Sequence, residues 1–259
     1  MKEKISITID SKLLEKIDSI IDGISIRNRS QAIEFLSRSA IGEKRSAVIL
    51  SGGDEKTLRL EDSFRPLGLI KNKTVVERAI RKFRDNNFKE IFIIARHKVL
   101  TAIFDILKDG SEFGVKINYV EEKQSRGTAD SLRYLKGKLK ERALVVYSDI
   151  IFENINIDDL WTNHSTNNSI ATIMLTTSAH PAHKGSVRMQ GNKIIEFVQK
   201  SDADSNLVFS PIFVIDPELL EKEGHSLEDH IFPELAQKGL LNGYVSAEKE
   251  KHVHCKGDL

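Results

Sequence analysis

The chain has 259 residues, 40% hydrophobic and 30% charged, enough to fill one large core or a large and a small one. Lys+Arg total 39 against 38 Asp+Glu, which excludes a globally basic nucleic-acid coat and leaves room only for a local basic patch. The single cysteine, Cys255, excludes an internal disulfide, and no apolar run approaches the ~18–20 residues that span a bilayer. The expectation is a soluble, cytoplasmic α/β protein with no membrane partner.

The chain changes character near residue 46. Residues 41–46, Ile-Gly-Glu-Lys-Arg-Ser, read as a short polar linker between a segment at 1–42 and a larger one at 47–259. In the first, Lys4-Ile-Ser-Ile-Thr-Ile9 alternates with period two. Ile5, Ile7 and Ile9 share one face; Lys4, Ser6 and Thr8 share the other, which predicts a strand. The start therefore reads as a strand and not as a signal peptide. Asp10-Ser11 offers a helix cap, with Leu13, Leu14, Ile17, Ile20 and Ile21 at helical spacing. A second helix starts near Asn28, where Gln31 three positions on makes a variant capping box. Strand, helix and helix in so short a segment cannot bury a core alone, so a dimer with paired strands is expected.

This pattern resembles the ribbon-helix-helix family of DNA-binding proteins. The resemblance covers roughly residues 3–41 and rests on KISITID, the RNRSQAI helix start and the spacing between them. It implies a homodimer through this segment, able to assemble further on double-stranded DNA. Lys4, Ser6 and Thr8 would meet base edges in the major groove. Arg27, Asn28, Arg29 and Ser30 would anchor a phosphate at the second helix start.

In the second segment, Ala47-Val-Ile-Leu50 is a buried-strand signal followed by Ser51-Gly52-Gly53, where glycines allow close backbone approach to a ligand. A helical pattern runs from Leu67 to Phe83. Strands follow at 91–94, 116–120 and 143–147, with helices at 101–108 and 128–139 between them. Alternating strands and helices predict a mostly parallel sheet covered by helices, with ligands at the strand C-terminal ends. Ser51-Gly52-Gly53 and Asp149 both fall at such ends. Trp161 reads as half-buried packing, and His252-Val-His254-Cys255 as incidental rather than a metal cluster.

Six cues in order make this segment resemble the sugar-1-phosphate nucleotidyltransferases. They are AVILSGG, RPLGLIKNKTVVERAI, GTADSLR, VVYSDIIF, HKGSVRMQGNKIIEFVQKS and SLEDHIFPELAQKGLLNGY, spread over about residues 47–259. The resemblance implies a Rossmann-like fold and attack of a sugar phosphate on the α-phosphate of an NTP. It implies nucleotide binding by Leu50, Ser51, Gly52, Gly53, Gln124, Gly127 and Thr128, and a sugar side at Gly185 and Lys200. Asp149 would be the metal carboxylate, so a bound nucleotide would bring Mg²⁺.

The sequence also departs from the family. The family loop Gly-Gly-x-Gly-Thr-Arg-Leu here reads Gly52-Gly53-Asp54-Glu55-Lys56-Thr57-Leu58. Arg65 replaces a family lysine, Gln199-Lys200-Ser201 replaces Glu-Lys-Pro, and Cys255 stands at the second metal carboxylate with Asp258 offset. These departures lead to the expectation of a degenerate transferase domain. That domain would sense a nucleotide or nucleotide-sugar for a DNA-binding transcriptional regulator. The alternative is an active sugar-1-phosphate nucleotidyltransferase with an N-terminal dimerisation or autoregulatory module, in which Lys56, Arg59, Arg65 and Asp149 carry the chemistry. A third reading is a module that recognises a protein partner.

Overall fold

The computed structural model describes residues 5–21, 23, 26–41, 45–178, 185–199 and 205–258, without the side chains of 38–41 and 256. The chain divides into two compact units, Met1–Lys44 and Arg45–Leu259.

The first unit contains α1 (Ser11–Asp18) and α2 (Arg29–Ile41). The Asp10 carboxylate accepts the Lys12 N–H at 2.9 Å and starts α1. Asn28 accepts the Gln31 N–H at 3.0 Å, while the Gln31 amide oxygen reaches back to the Arg27 N–H at 2.7 Å. The reciprocal cap thus lands one residue earlier than a capping box places it. Residues 5–10 form no regular element, which corrects the strand expected over 4–9. Alternation specifies a strand only where another strand completes its hydrogen bonds, and within this chain none does among the described residues. Ile5 and Ile7 are accordingly exposed.

The second unit opens with β1 (Arg45–Ser51), which takes in the last two residues of the expected linker. Two small hairpins follow, β2 (Arg59–Leu60) with β3 (Ser63–Phe64), and β4 (Leu69–Ile70) with β5 (Lys73–Thr74). Then come α3 (Val75–Asp85), β6 (Phe88–Ala95), α4 (His97–Leu107), β7 (Lys116–Glu121), α5 (Thr128–Arg133), β8 (Ala143–Tyr147) and β9 (Ile150–Ile151). The rest comprises α6 (Ile157–Thr166), β10 (Ala171–Thr177), β11 (Gly185–Gln190), β12 (Lys193–Gln199), β13 (Leu207–Ile215), α7 (Phe232–Gln237), β14 (Leu241–Val245) and β15 (Lys251–His252). The helix expected from Leu67 begins only at Val75. Lys71 and Asn72, at φ 47° and 65°, turn the chain through left-handed backbone first. Thr74 and Glu77 then form a full capping box for α3.

Among the described residues the main sheet runs β10-β14-β12-β11-β13-β8-β1-β6-β7. β8, β1, β6 and β7 are parallel. β13 joins β8 antiparallel, and β10 pairs with both β13 and β14, so this second half closes into a ring of mostly antiparallel strands. The sheet is therefore mixed, a correction to the mostly parallel expectation. The hairpin turn at Gly191, φ 62°, sends β12 straight back along β11 with no crossover helix.

β1 is buried on both faces, which is why its sequence is a continuous apolar run. Val48 and Leu50 pack in one layer with Phe92, Leu132, Phe213 and Phe232. Ala47 and Ile49 pack in the other with Phe83, Phe88, Ile93 and Trp161. Trp161 is fully rather than half buried, edge-on to Phe88 at 5.1 Å.

Candidate functional site

β8, β1, β6 and β7 all end on one rim of the sheet, so Ser148-Asp149, Ser51-Gly52-Gly53 and Glu122 emerge side by side. The Ser148 hydroxyl donates to the Ser51 hydroxyl at 2.8 Å, and the Ser148 N–H to the Leu50 carbonyl at 3.1 Å, joining two of these ends. Gly52 lies so close to Glu122 Oε2 and Ser131 Oγ that a Cβ there would overlap both. Gly53, at φ 99°, turns the loop and donates its N–H to Glu122 Oε2 at 3.0 Å. Glu122 is only 2% exposed, and its other oxygen accepts the Ser131 hydroxyl at 3.1 Å. A buried carboxylate thus clamps the glycine loop by a charge-assisted bond to backbone.

On the opposite face, Arg65 donates to Asp149 Oδ2 at 3.1 Å. Both side chains are about one-fifth exposed, and the Arg65 N–H ties back to the Leu58 carbonyl at 2.8 Å. Lys56 and Arg59 are exposed on the loop. Asp54 accepts the Lys56 N–H at 3.0 Å and organises the turn there, and Lys98 stands 3.9 Å from Glu55, partly offsetting its charge.

Thr128 opens α5. Its hydroxyl donates to Glu228 Oε2 at 2.7 Å and accepts the Leu227 N–H at 2.9 Å. Gly127 has no room for a Cβ because the His225 carbonyl lies against it. Tyr147, the last residue of β8, donates its hydroxyl to Glu228. Burial pushes the Tyr147 phenol well above its usual value, and the Glu228 and Asp149 charges add to that.

The structure thus brings Leu50, Ser51, Gly52, Gly53, Arg65, Gly127, Thr128 and Asp149 to one rim. Gln124 is exposed nearby, its N–H bonded to the Tyr134 hydroxyl at 3.0 Å. Gly185 opens β11 in the antiparallel half, tight against Phe197 and Gln199. Lys4 and Lys200 lie outside the described residues. Ser6, Thr8, Arg27, Asn28, Arg29 and Ser30 are exposed on the first unit, with Arg29 bound bidentately to Asp18 at 2.7 Å. Among the described residues no cluster of three or more His, Cys, Asp or Glu is placed to hold a metal. His252 and His254 stack on each other at 5.3 Å, and Asp258 accepts the His254 and Cys255 N–H groups at 2.8 and 2.9 Å. Those backbone bonds hold the Asp258 carboxyl below its usual value. Sequence reasoning missed Glu122, Ser131, Tyr147 and Glu228; the only signal was that Glu122 and Tyr147 stand at strand ends.

A clamped glycine loop at the strand ends of a mixed α/β sheet is what the fold and rim define. Residues 46–257 match the nucleotidyl transferase family, and the chain belongs to it. It is 26% identical over 216 residues to a mannose-1-phosphate guanylyltransferase of Mycobacterium tuberculosis, covering 78% of this chain and 58% of that one. It is 28% identical to a low-salt glycan biosynthesis nucleotidyltransferase of Haloferax volcanii, covering 67% and 50%. The chain spans about half the length of such curated relatives. In fold it resembles a provisionally named glucose-1-phosphate thymidylyltransferase of Bacillus anthracis. The TM-score is 0.69 at 19% identity, over 80% of this chain and 89% of that one.

These likenesses overturn the expectation of a DNA-binding transcriptional regulator built on a catalytically retired transferase domain. The relatives are named for nucleotidyl transfer, and nothing in them supports double-stranded DNA as the partner or a DNA-bound dimer. Departures at Glu55, Thr57, Arg65, Gln199, Ser201 and Cys255 had carried the inference of lost activity, but departures in residue type do not by themselves establish a loss of function. Among the described residues, no helix is long and apolar enough to cross a membrane.

Proposed function

We propose that the chain is a sugar-1-phosphate nucleotidyltransferase. A phosphate oxygen of the sugar 1-phosphate attacks the NTP α-phosphorus, the α–β phosphoanhydride bond breaks, and pyrophosphate leaves with the electron pair. The observation that carries this reading is the convergence on one rim of a clamped Gly52-Gly53 loop and the Arg65–Asp149 pair. The relatives named for this reaction support it.

In this reading the loop cradles the nucleotide, with Leu50, Ser51, Gly127 and Thr128 lining its floor. Gln124 stands at the margin, and Gly185 and Lys200 belong to the sugar side. Arg65 offers its guanidinium to phosphoryl oxygens where charge builds in the transition state. Lys56 and Arg59 add exposed positive charge at the loop. One strand-end carboxylate together with substrate phosphates is a donor set that magnesium accepts, so Asp149 fits as the anchor for Mg²⁺ carried on the triphosphate. When bound, that ion neutralises phosphoryl charge.

The test is pyrophosphate release from the full chain, with ATP, GTP, UTP and dTTP against glucose and mannose 1-phosphates. Arg65→Ala is expected to lower kcat by about 10²–10³. Folded wild-type chain that releases no pyrophosphate with any pair would end this reading.

A further inference from the structure

We propose that Glu228 accepts a hydroxyl group of the sugar that is bonded to the reacting phosphate, either the nucleotide's ribose or the hexose. The proposal rests on the nucleotidyl-transfer reading and extends it to one carboxylate outside the residues already assigned.

Glu228 lies in a single π-helical turn, Leu227–Ile231, just ahead of α7. Its carboxylate is organised by hydroxyls. Tyr147 donates to Oε1 and Thr128 to Oε2 at 2.7 Å, while the Ser226 hydroxyl lies 3.2 Å from Oε2 and 2.7 Å from Asp229 Oδ2. No basic side chain pairs with it among the described residues. A carboxylate offers about four acceptor positions, so Oε1, with one donor, keeps capacity for another. Glu228 is half-buried, and the residues holding it begin α5 and end β8 on the same rim as the loop.

Charge narrows the occupant. An anionic oxygen with no cation beside it among the described residues repels phosphate and matches a neutral donor. Tyr147 directly precedes Ser148-Asp149, which places this carboxylate next to the centre assigned to the phosphates. In both substrates the group esterified to the reacting phosphate is a sugar, and in the NTP the base lies beyond that sugar. The donor within reach is therefore a sugar hydroxyl. The Tyr147 hydroxyl, donating to Oε1 from the end of β8, keeps Glu228 in place.

The experiment crosses the full-length wild type, Glu228→Gln and Tyr147→Phe with complete and deoxygenated substrates. The latter are 2′-deoxy and 3′-deoxy forms of the productive NTP and singly deoxygenated forms of the productive hexose 1-phosphate. Binding by calorimetry and KM are both read. One deoxy substrate is expected to bind wild type about 10- to 100-fold more weakly, as for a lost hydrogen bond to a charged group. Glu228→Gln should weaken the complete substrate comparably, with little further loss on the deoxy one. A sensitive NTP series identifies ribose, and a sensitive sugar series identifies hexose. Tyr147→Phe keeps the ring edge-on to Phe213 at 6.3 Å and should cost less than Glu228→Gln.

Losses that multiply, or a Glu228→Gln effect equal on every substrate, would mean a structural carboxylate and overturn the proposal. If Glu228→Gln does not fold, the wild-type deoxy series decides: indifference to every hydroxyl removes Glu228 from recognition. Wild type that binds no complete substrate defeats the nucleotidyl-transfer reading and this inference with it. Binding without hydroxyl dependence defeats this inference alone.

Discussion

The two halves of the main sheet solve different problems. In the parallel half, β8, β1, β6 and β7 all point the same way, so every chain turn after them falls on one rim. Polar residues from 51 to 149 meet there although they are distant in sequence. In the other half, β10 through β14 close on themselves, which removes free edges and packs Phe197, Phe209, Phe213 and Phe232 together. The first half concentrates chemistry at its rim; the second concentrates apolar volume. Substitutions should separate along that line, with closed-half cores affecting stability and rim residues affecting turnover.

The largest expected effect is in the closed half. Phe232 is fully buried, with ring centroids of Phe197, Phe209 and Phe213 at 5.4 to 5.6 Å. Phe232→Ala should cost about 3–5 kcal/mol, read as a lower urea midpoint at unchanged slope. A loss near zero would mean the ring of strands does not depend on this aromatic cluster. Next comes the rim. Gly52→Ala drives a methyl into Glu122 and Ser131, so the loop must shift. Turnover is expected to fall by about 10² for a displacement near 1 Å, with a stability loss of only about 1–3 kcal/mol. If stability collapsed while residual kcat held, the rim would be a packing element like the closed half, and the comparison would break.

The parallel half was the more legible in sequence. Val48 to Leu50 and Leu144 to Val146 are apolar without interruption because helices cover both faces. The closed half was not, because its pairings join strands far apart along the chain. β13 even contains Pro211, which argues against a central strand. The register opposite β10 shifts from Phe213 to Ser210 between Ile173 and Met174, so the proline sits in a bulge. Within the site, Gly52, Gly53 and Asp149 showed themselves by residue type and strand-end position. Glu122 and Glu228 did not. A glutamate in sequence reads as solvated, and these are fixed by partners 69 and 100 residues away, Gly53 and Thr128. The alternation at Ile5, Ile7 and Ile9 was legible but led to a strand the structure does not form.

The smallest expected effect sharpens the comparison at the joint between its halves. The stretch Lys222–Ser226 leads toward α7 of the closed half and is pinned to α5 of the parallel half. Arg133 donates to the Lys222 carbonyl at 2.7 Å and to the Gly224 carbonyl, and Asp130 binds both Arg133 and His225. Burial pushes the Asp130 carboxyl up, but the His225 hydrogen bond, the Arg126 N–H and the His225 and Arg133 charges outweigh it and lower it overall. A carboxyl lowered in the folded state contributes stability that is complete above its unfolded value of about 3.9. That contribution fades as pH falls through the lower folded value. Asp130→Asn should therefore reduce the urea midpoint slightly near neutral pH and flatten its decline under about pH 4. Parallel wild-type and variant curves throughout that acid range would show that the joint is held by the Arg133–carbonyl bonds alone, and that the two halves are coupled by backbone acceptors rather than by charge.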